Sequence, residues 1–475
     1  MTSNKTFVIP LGKGKSIPFL FVLVVMFTIP AIYTSIFLSE SSVGDQLIPF
    51  FSLSIVLGLL GVSIAKSQSS GDSAFQVKLF AISFVIRVIL AILFYQYFVS
   101  NIGEPFLSFG NDDFGYHTRA LDLASNWASS GIYYPSHHAA GYDSLIALFY
   151  LFLGPVPLVV RLLNCFAGSL AAVYSYRIGN YLFGKKIGRL AGFLIALMPD
   201  FLFWSVVQYR DIIIAVLLLY LVWFFIARFN LKISFTDLII PIIMWIFFVL
   251  LHPHGAFGLL AAIILYVGIM FRREIKERKS VFSARKIFVW AILIILFIGS
   301  FWFIYELKTE TLYSILDIGE NREAGLQKRS DQESLSNIFF GKSGGIEGIA
   351  VNFIRFFFPV FIPVPSLSLQ LEKIFLSLGS VIWYFLFPCS VYSIFYFIKK
   401  KRNDTMLLIS VPIIFLMGIF IFFYSGSFRY KIQFMPLLII LSAFGISRVK
   451  RWFMLYISML YILGFAFVLY LIIKL

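Results

Sequence analysis

The sequence has few charged residues and very little cysteine. Only 13% of its 475 residues are charged, against about 25% in soluble domains, so most of the chain does not form a water-solvated fold. The two cysteines, Cys165 and Cys389, lie inside apolar stretches, which argues against a disulfide framework or a zinc site. These absences exclude small secreted scaffolds and zinc modules.

Apolar residues make up 60% of the chain. A membrane helix needs about 20 consecutive apolar residues, and such runs follow one another here. We therefore predict an all-α polytopic membrane protein with about 13 transmembrane helices. The predicted crossings are 17–38, 47–65, 79–99, 158–182, 187–206, 211–228, 238–252, 255–271, 287–305, 373–398, 405–424, 431–447 and 453–473.

The net charge of +16 does not indicate a nucleic-acid partner, because the basic residues lie in short clusters between apolar runs. A cytoplasmic N-terminus makes every inside loop basic, as the positive-inside rule requires, and it leaves the C-terminus outside. Segments 142–154 and 348–365 then stay on the outer face without crossing. Two long outer loops follow from this register, 100–140 and 306–347.

The first outer loop contains an adjacent acid pair, Asp112 and Asp113, with Tyr116 three residues after it and His137 and His138 further on. Adjacent carboxylates repel each other, so the pKa of one should rise. One of them could take a proton from an attacking hydroxyl group. The alternative is that the pair caps the amphipathic helix that begins there.

Two later outer turns also contain polar groups. Arg210 and Asp211 begin an apolar helix, and the negative charge of Asp211 is stabilised by the dipole at the helix N-terminus. Either this cap with a local Arg210–Asp211 ion pair or a functional role explains the two residues. His252 and His254 flank Pro253 at the next turn; they could bind a metal, donate hydrogen bonds to an anionic ligand, or simply form the turn. Tyr209 could stack on a sugar, although interfacial tyrosines are common in membrane proteins.

Arg429 and Lys431 begin a late crossing on its outer side. Cations there oppose both the helix dipole and the positive-inside bias, which indicates that they hold an anion. Arginine suits phosphate because its planar group forms paired charge-assisted hydrogen bonds. The alternative is snorkelling to lipid head groups.

The order of these motifs resembles the GT-C superfamily of membrane glycosyltransferases, closest to its protein O-mannosyltransferase and lipid A aminoarabinose transferase branch. The motifs that carry the resemblance are Asp112-Asp113-x-x-Tyr116, Gly141-Tyr142, Val160 to Asn164, Leu182 to Lys186, Pro199, Ser205, Arg210-Asp211, and Arg429-Tyr430 with Pro436. The resemblance implies a two-helix extension at 1–78 and a GT-C-like unit at 79–475. That unit contains a first outer loop with amphipathic juxtamembrane helices at 100–157 and a second outer region at 306–372.

Members of this family transfer a sugar from a polyprenyl-phosphate carrier with inversion. The resemblance implies that Asp112 is the general base with Asp113 beside it, that Asp211 positions the acceptor or a cation, and that Arg429 contacts the carrier phosphate. We add Lys431, Arg210, His252 and His254 as further candidate phosphate-binding groups. Tyr116, Tyr209, His137 and His138 are the candidate substrate-binding groups.

The expected partners are the lipid-linked donor, a hydroxyl acceptor on a glycan, lipid or protein, and membrane lipids. No cofactor is certain, and a divalent cation stays open. We expect a location in the inner (plasma) membrane with the site facing the exterior. Two alternatives stay open: a polymerase or ligase of lipid-linked oligosaccharides, and a polysaccharide or lipid transporter or flippase, for which the deep charge of Arg87 is the main support.

Overall fold

The structure is a computed structural model. It describes residues 43–67, 72–107, 112–133, 135, 140–228, 236–276, 299, 370–423 and 428–449. These ranges contain α-helices, short 3-10 helices and no β-strand. The α-helices are α1 (Val43–Lys66), α2 (Ser73–Ile102), α3 (Asp112–Ser130), α4 (Ala140–Leu153), α5 (Pro157–Phe183), α6 (Lys185–Leu197), α7 (Pro199–Ser205), α8 (Asp211–Arg228), α9 (Thr236–Leu251), α10 (Pro253–Lys276), α11 (Leu371–Lys399), α12 (Met406–Phe423) and α13 (Met435–Arg448). Two 3-10 helices complete the list, η1 (Asn403–Thr405) and η2 (Phe428–Gln433).

The described helices match the predicted crossings well. Among them, five are long and apolar enough to cross a membrane, and a sixth span is possible if the bent pair α6 and α7 forms one. Ten of the predicted crossings coincide with a helix or a helix pair, which confirms an all-helical membrane protein for this part of the chain. Three predicted crossings (17–38, 287–305 apart from residue 299, and 453–473), the second outer loop and the 348–365 segment lie outside the described residues.

Helix α5 lies at the centre of the bundle. In its most apolar window 89% of the residues are buried, against 33% in α1. Small residues let neighbouring helices approach closely: a Cβ on Gly188 of α6 would lie 2.7 Å from the Tyr176 carbonyl oxygen of α5. The α5 helix therefore serves as the scaffold on which the other elements are placed.

The predicted crossing 187–206 is in fact two helices, α6 and α7, bent by 58°. Pro199 explains the break, since it has no N–H for the Ile195 carbonyl and it disfavours helical geometry at Met198, which is extended (φ −62°, ψ 117°). Arg87 of α2 supplies the missing donors, with Nη2 bound to the Ile195 carbonyl oxygen and Nη1 to that of Ala196, both at 3.2 Å.

Arg87 thereby acquires a structural explanation. Its Nε also donates to Ser205 Oγ of α7 at 2.9 Å, so one guanidinium joins both sides of the bend. A Cβ on Gly168 would lie 2.7 Å from Arg87 Nε, so only glycine leaves room for this arrangement. These contacts account for the deep charge that favoured a transporter.

The helix ends form two groups. At one, the Asp72 end, Asp72 pairs with Arg189 at 2.8 Å and with Lys185 at 3.0 Å, and Arg402 donates to the Leu182 carbonyl oxygen at 3.3 Å. Loops that the charge pattern assigns to one side of the membrane therefore meet. The opposite, Asp112 end holds α3, the 206–210 turn, the junction of α9 and α10, and η2.

Two short helices cover the Asp112 end. Helix α3 buries Tyr116, Ala120, Leu123 and Trp127, a spacing of three or four residues that gives one apolar face. Its partner α4 has 14 residues, about 21 Å, which is shorter than a hydrocarbon core of about 30 Å. The two helices pack against each other through Tyr116 and Tyr142, whose ring centroids are 4.9 Å apart.

Candidate active site

Arg429 joins two acids at the Asp112 end. Its Nη1 donates to Asp112 Oδ2 at 2.5 Å, and its Nε lies 3.4 Å from Asp211 Oδ2. The three residues come from α3, α8 and η2, which are far apart in sequence. The Asp112 side chain is 46% exposed whereas that of Asp211 is 3% exposed, so the two carboxylates have different access to a ligand.

Asp211 is held from a second direction. Gln433, at the end of η2, donates from Nε2 to Asp211 Oδ1 at 2.8 Å. The ring of Tyr209 lies under the guanidinium of Arg429, 4.9 Å from its Cζ, where cation–π attraction adds to the ion pairs. Arg429 is thus fixed on several sides, with Asp112 on the accessible one.

The turn that presents Tyr209 and Asp211 is anchored to α5. The Asn164 side-chain amide donates to the carbonyl oxygens of Val207 and Tyr209 at 2.6 and 2.8 Å. Residues 206–210 are not helical, so these carbonyls lack helical donors. Asn164 is part of the motif that carries the family resemblance, and this contact gives it a physical role.

Asp113 differs from its neighbour Asp112. It is buried, and its Oδ2 accepts from the Leu107 N–H at 2.8 Å while Oδ1 accepts from the Phe114 N–H at 3.0 Å. Burial raises the pKa of Asp113 even though these donors and the charge of Arg161 oppose the rise. The expected rise in one pKa of the pair is present, but its main cause is burial. The bond to Phe114 satisfies one of the free N–H groups in the first turn of α3, and both contacts favour a structural role for Asp113.

The segment that precedes α3 is held by Arg161 of α5. Arg161 of α5 donates from Nη2 to the Pro105 carbonyl oxygen, and its guanidinium lies over the ring of Phe98 at 5.6 Å. Together with Asp113, it fixes the chain that leads from α2 to Asp112.

The candidate aromatic residues form a packed cluster. Tyr116 and Tyr209 meet edge to face with centroids 6.3 Å apart, and Trp204 packs on Tyr209 at 5.0 Å. Tyr116 and Tyr209 are 4% and 1% exposed. This burial favours a role in supporting Asp112 and Arg429 over direct stacking on a sugar.

Two polar pairs beside the site do not emerge from the sequence. Arg119 donates from Nε to Asp143 Oδ2 at 2.7 Å and joins α3 to α4. The His117 Nδ1 atom lies 2.7 Å from the Tyr150 hydroxyl oxygen. Asp143 lies three residues after Ala140, the first residue of α4, and a single acid in an apolar helix is the signal in the sequence.

The other candidate phosphate-binding residues are arranged differently. Arg210 donates to the Leu251 carbonyl oxygen at 3.2 Å, which places the junction of α9 and α10, with His252 and His254, at the Asp112 end. His252 packs edge to face on Phe415 at 6.4 Å. His137 and His138 lie outside the described residues.

Lys431 does not lie with Arg429. Its Nζ is 3.3 Å from Asp200 Oδ2, and both side chains are almost completely buried. The ammonium group also lies 5.0 Å from the centre of the Trp383 ring. This burial favours a role inside the bundle over the expected contact with phosphate. Within the described ranges, no group of three or more His, Cys, Asp or Glu side chains is placed to hold a metal ion.

No protein-family model matches the sequence, and no curated protein matches it. Among solved structures, the chain is similar to ArnT from Cupriavidus metallidurans in the apo state, with 14% identity and a TM-score of 0.39 over 70% of this chain and 55% of that one. The chain is also similar to ArnT bound to undecaprenyl phosphate, with 14% identity and a TM-score of 0.43 over 77% of this chain and 60% of that one. A third similar structure is the oligosaccharyltransferase AglB from Archaeoglobus fulgidus in complex with an inhibitory peptide and a dolichol-phosphate. The identity is 17% and the TM-score is 0.44, over 84% of this chain and 56% of that one.

The chain spans somewhat more than half the length of these structures. At 14–17% identity and TM-scores of 0.39–0.44, this is a distant likeness of fold.

Proposed function

We propose that this chain is a GT-C glycosyltransferase that moves a sugar from a polyprenyl-phosphate carrier to a hydroxyl acceptor, with inversion. The observation that carries the proposal is the position of Arg429 between Asp112 and Asp211, at 2.5 and 3.4 Å. It supports a single site that combines an accessible carboxylate with a fixed cation at one end of an apolar bundle.

Arg429 is the proposed phosphate-binding residue. An arginine has five N–H donors, so Arg429 can keep its contact with Asp211 while it binds phosphate oxygens through the remaining donors. As the bond from sugar to phosphate breaks, negative charge builds up on the phosphate, and a fixed cation stabilises it most in the transition state.

Asp112 is the proposed general base. The acceptor oxygen forms a bond to the anomeric carbon while the bond from that carbon to the phosphate oxygen breaks, and its electron pair leaves with the polyprenyl phosphate. The acceptor proton passes to Asp112. The exposure of Asp112 suits this role, because a base must reach the hydroxyl group directly.

Asp211, Gln433 and Tyr209 are proposed to orient Arg429. Asp211 is too buried to meet a large acceptor, so its charge acts through the guanidinium. Asp113 and Asn164 hold the two segments that bring Asp112 and Asp211 into place. The extension at 1–78 and the unit at 79–475 are proposed as one membrane assembly.

The Asp112 end is proposed to face the exterior of the plasma membrane, with the N-terminus in the cytoplasm and the C-terminus outside. The charge pattern supports this orientation, because the basic loops meet at the opposite end. Labelling of single cysteines at position 122 and position 402 with an impermeant thiol reagent tests it: reaction of the second and not the first in intact cells overturns the orientation.

The test of function uses the purified chain, a labelled single sugar on undecaprenyl phosphate, and lipid, glycan and peptide hydroxyl acceptors. Undecaprenyl phosphate is the lipid bound in one ArnT structure. We expect a product one sugar larger than its acceptor, lost in Asp112→Asn. Growth in whole oligosaccharide units would indicate the polymerase or ligase instead, and passage of the lipid-linked donor across a vesicle without transfer would indicate the flippase.

A further inference from the structure

A buried ion pair adjoins the candidate site, because one of its members lies two residues after Arg429 in η2. Lys431 Nζ and Asp200 Oδ2 are 3.3 Å apart, and the side chains are 1% and 0% exposed. Removing two charges from water costs several kcal/mol per ion before their attraction is counted. An apolar pair of similar size often gives equal stability, so stability alone does not explain this pair.

The pair joins three elements at one point. Asp200 is in the first turn of α7, directly after the bend at Met198. Gly379 of α11 packs so closely that a Cβ there would lie 2.6 Å from Asp200 Cβ. Lys431 of η2 also lies over Trp383 of α11, at 5.0 Å. The carboxylate therefore has a fixed position, and Lys431 is tied to it.

The η2 helix carries the groups of the site in alternation. Arg429 contacts Asp112 and Asp211, Lys431 contacts Asp200, and Gln433 contacts Asp211. A 3-10 helix has about three residues per turn, so side chains two residues apart point in directions about 120° from each other. Lys431 thus holds η2 from a different side than Arg429 does.

We propose that Asp200 and Lys431 form a positioning pair that sets the location of η2, and through it the location of Arg429. This inference rests on the proposed function, in which Arg429 binds the donor phosphate. A misplacement of about 1 Å at a reacting group can cost about a hundredfold in rate. The pair acts through Arg429 and does not itself touch substrate.

The test separates positioning from simple burial of charge. The variants are Asp200→Asn, Lys431→Met and the double variant with both changes, each measured for thermal stability in detergent and for kcat and donor KM. Each single variant leaves a buried charge without its partner and should lose stability. The double variant removes both charges, so its stability should return to near the wild-type value.

Kinetics of the double variant decide the question. If the pair sets the location of Arg429, the stable double variant keeps a donor KM about tenfold or more above wild type. Lys431→Arg, which keeps the charge, should recover part of the loss. A double variant with both wild-type stability and wild-type donor KM overturns the proposal.

A matched control is the double variant Arg402→Met with Asp404→Asn, an ion pair at the opposite end of the bundle. It should leave donor KM unchanged. Failure of the proposed function is a separate outcome, because wild-type protein would then show no transfer and the double variant would have nothing to lose.

Discussion

Asp112 and Arg429 are 317 residues apart in the chain, and they meet at 2.5 Å. No local structure accounts for that contact. The contact forms only when the bundle brings α3 and η2 together. Variants of Asp112 and Arg429 therefore probe both the tertiary fold and the proposed chemistry.

Asp112→Asn should reduce transfer by about 10²- to 10⁴-fold, the usual contribution of a general base. The side chain is 46% exposed, so thermal stability should change little. The measurement is initial rate with a single-sugar donor. Asp122→Asn, an exposed acid on the same helix, is the control and should retain wild-type rate. Equal rates for the two variants would remove Asp112 from the mechanism.

Arg429→Lys should raise donor KM by about tenfold to a hundredfold, because a hydrogen bond to a charged group contributes about 1.5–3 kcal/mol and lysine lacks the planar fork of arginine. Titration of donor at saturating acceptor measures it. Arg272→Lys, on an exposed residue of α10, should leave donor KM unchanged. An unaltered donor KM in Arg429→Lys would contradict phosphate binding at this residue.

Arg87→Met should destabilise the protein. It leaves the carbonyls of Ile195 and Ala196 without their donor, and each unsatisfied buried group costs about 1–3 kcal/mol. Thermal melting in detergent is the measurement, with Lys78→Met on the exposed side of the same helix as the control. A melting temperature that falls no further than the control's would argue against this role.

His117 should make stability depend on pH. Burial lowers the pKa of His117 from its ordinary 6.5, so the folded state favours the neutral ring and the unfolded state binds more protons as the pH falls. The contribution of His117 to the free energy of unfolding is therefore fully present above pH 6.5. It decreases as the pH drops toward the pKa of His117 in the folded state. We expect the melting temperature of wild-type protein to fall more steeply below pH 6.5 than that of His117→Asn. Parallel curves for the two proteins would refute the assignment.

Chelation should leave transfer unchanged. Arg429 lies between the carboxylates of Asp112 and Asp211, so the chain supplies a positive charge where a divalent ion would bridge them. Rates with and without EDTA are the measurement. Loss of activity in EDTA, restored by Mn²⁺ or Mg²⁺, would show that a cation enters between these acids.

Much of the fold is predictable from the sequence because lipid imposes a simple rule of length and polarity. Positions of α2, α5, α8 and α11 follow from apolar runs alone. The bend between α6 and α7 was missed, although Pro199 signalled it, because a run of apolar residues continues through the break. Its geometry depends on Arg87, which comes from another helix.

The candidate site is predictable to a lesser degree. The motif order placed Asp112, Asp211 and Arg429 in one site, and the structure brings these three together. It assigns Lys431 to a different neighbour, Asp200, because alternate residues of a 3-10 helix point in different directions. Gln433 had no distinctive signal, since one amide beside an apolar helix is ordinary and only its contact with Asp211 reveals its role.

The contrast between α5 and α1 has a consequence for variation along the chain. In α5 nearly every position touches protein, whereas about two thirds of the apolar window of α1 does not lie buried in the bundle. A saturation library should therefore accept most apolar exchanges in α1 and reject even a single added methyl group at Gly168 of α5. The accepted variants would then keep nearly the same residue at each position of α5, whereas Leu, Ile, Val and Phe would replace one another at most apolar positions of α1.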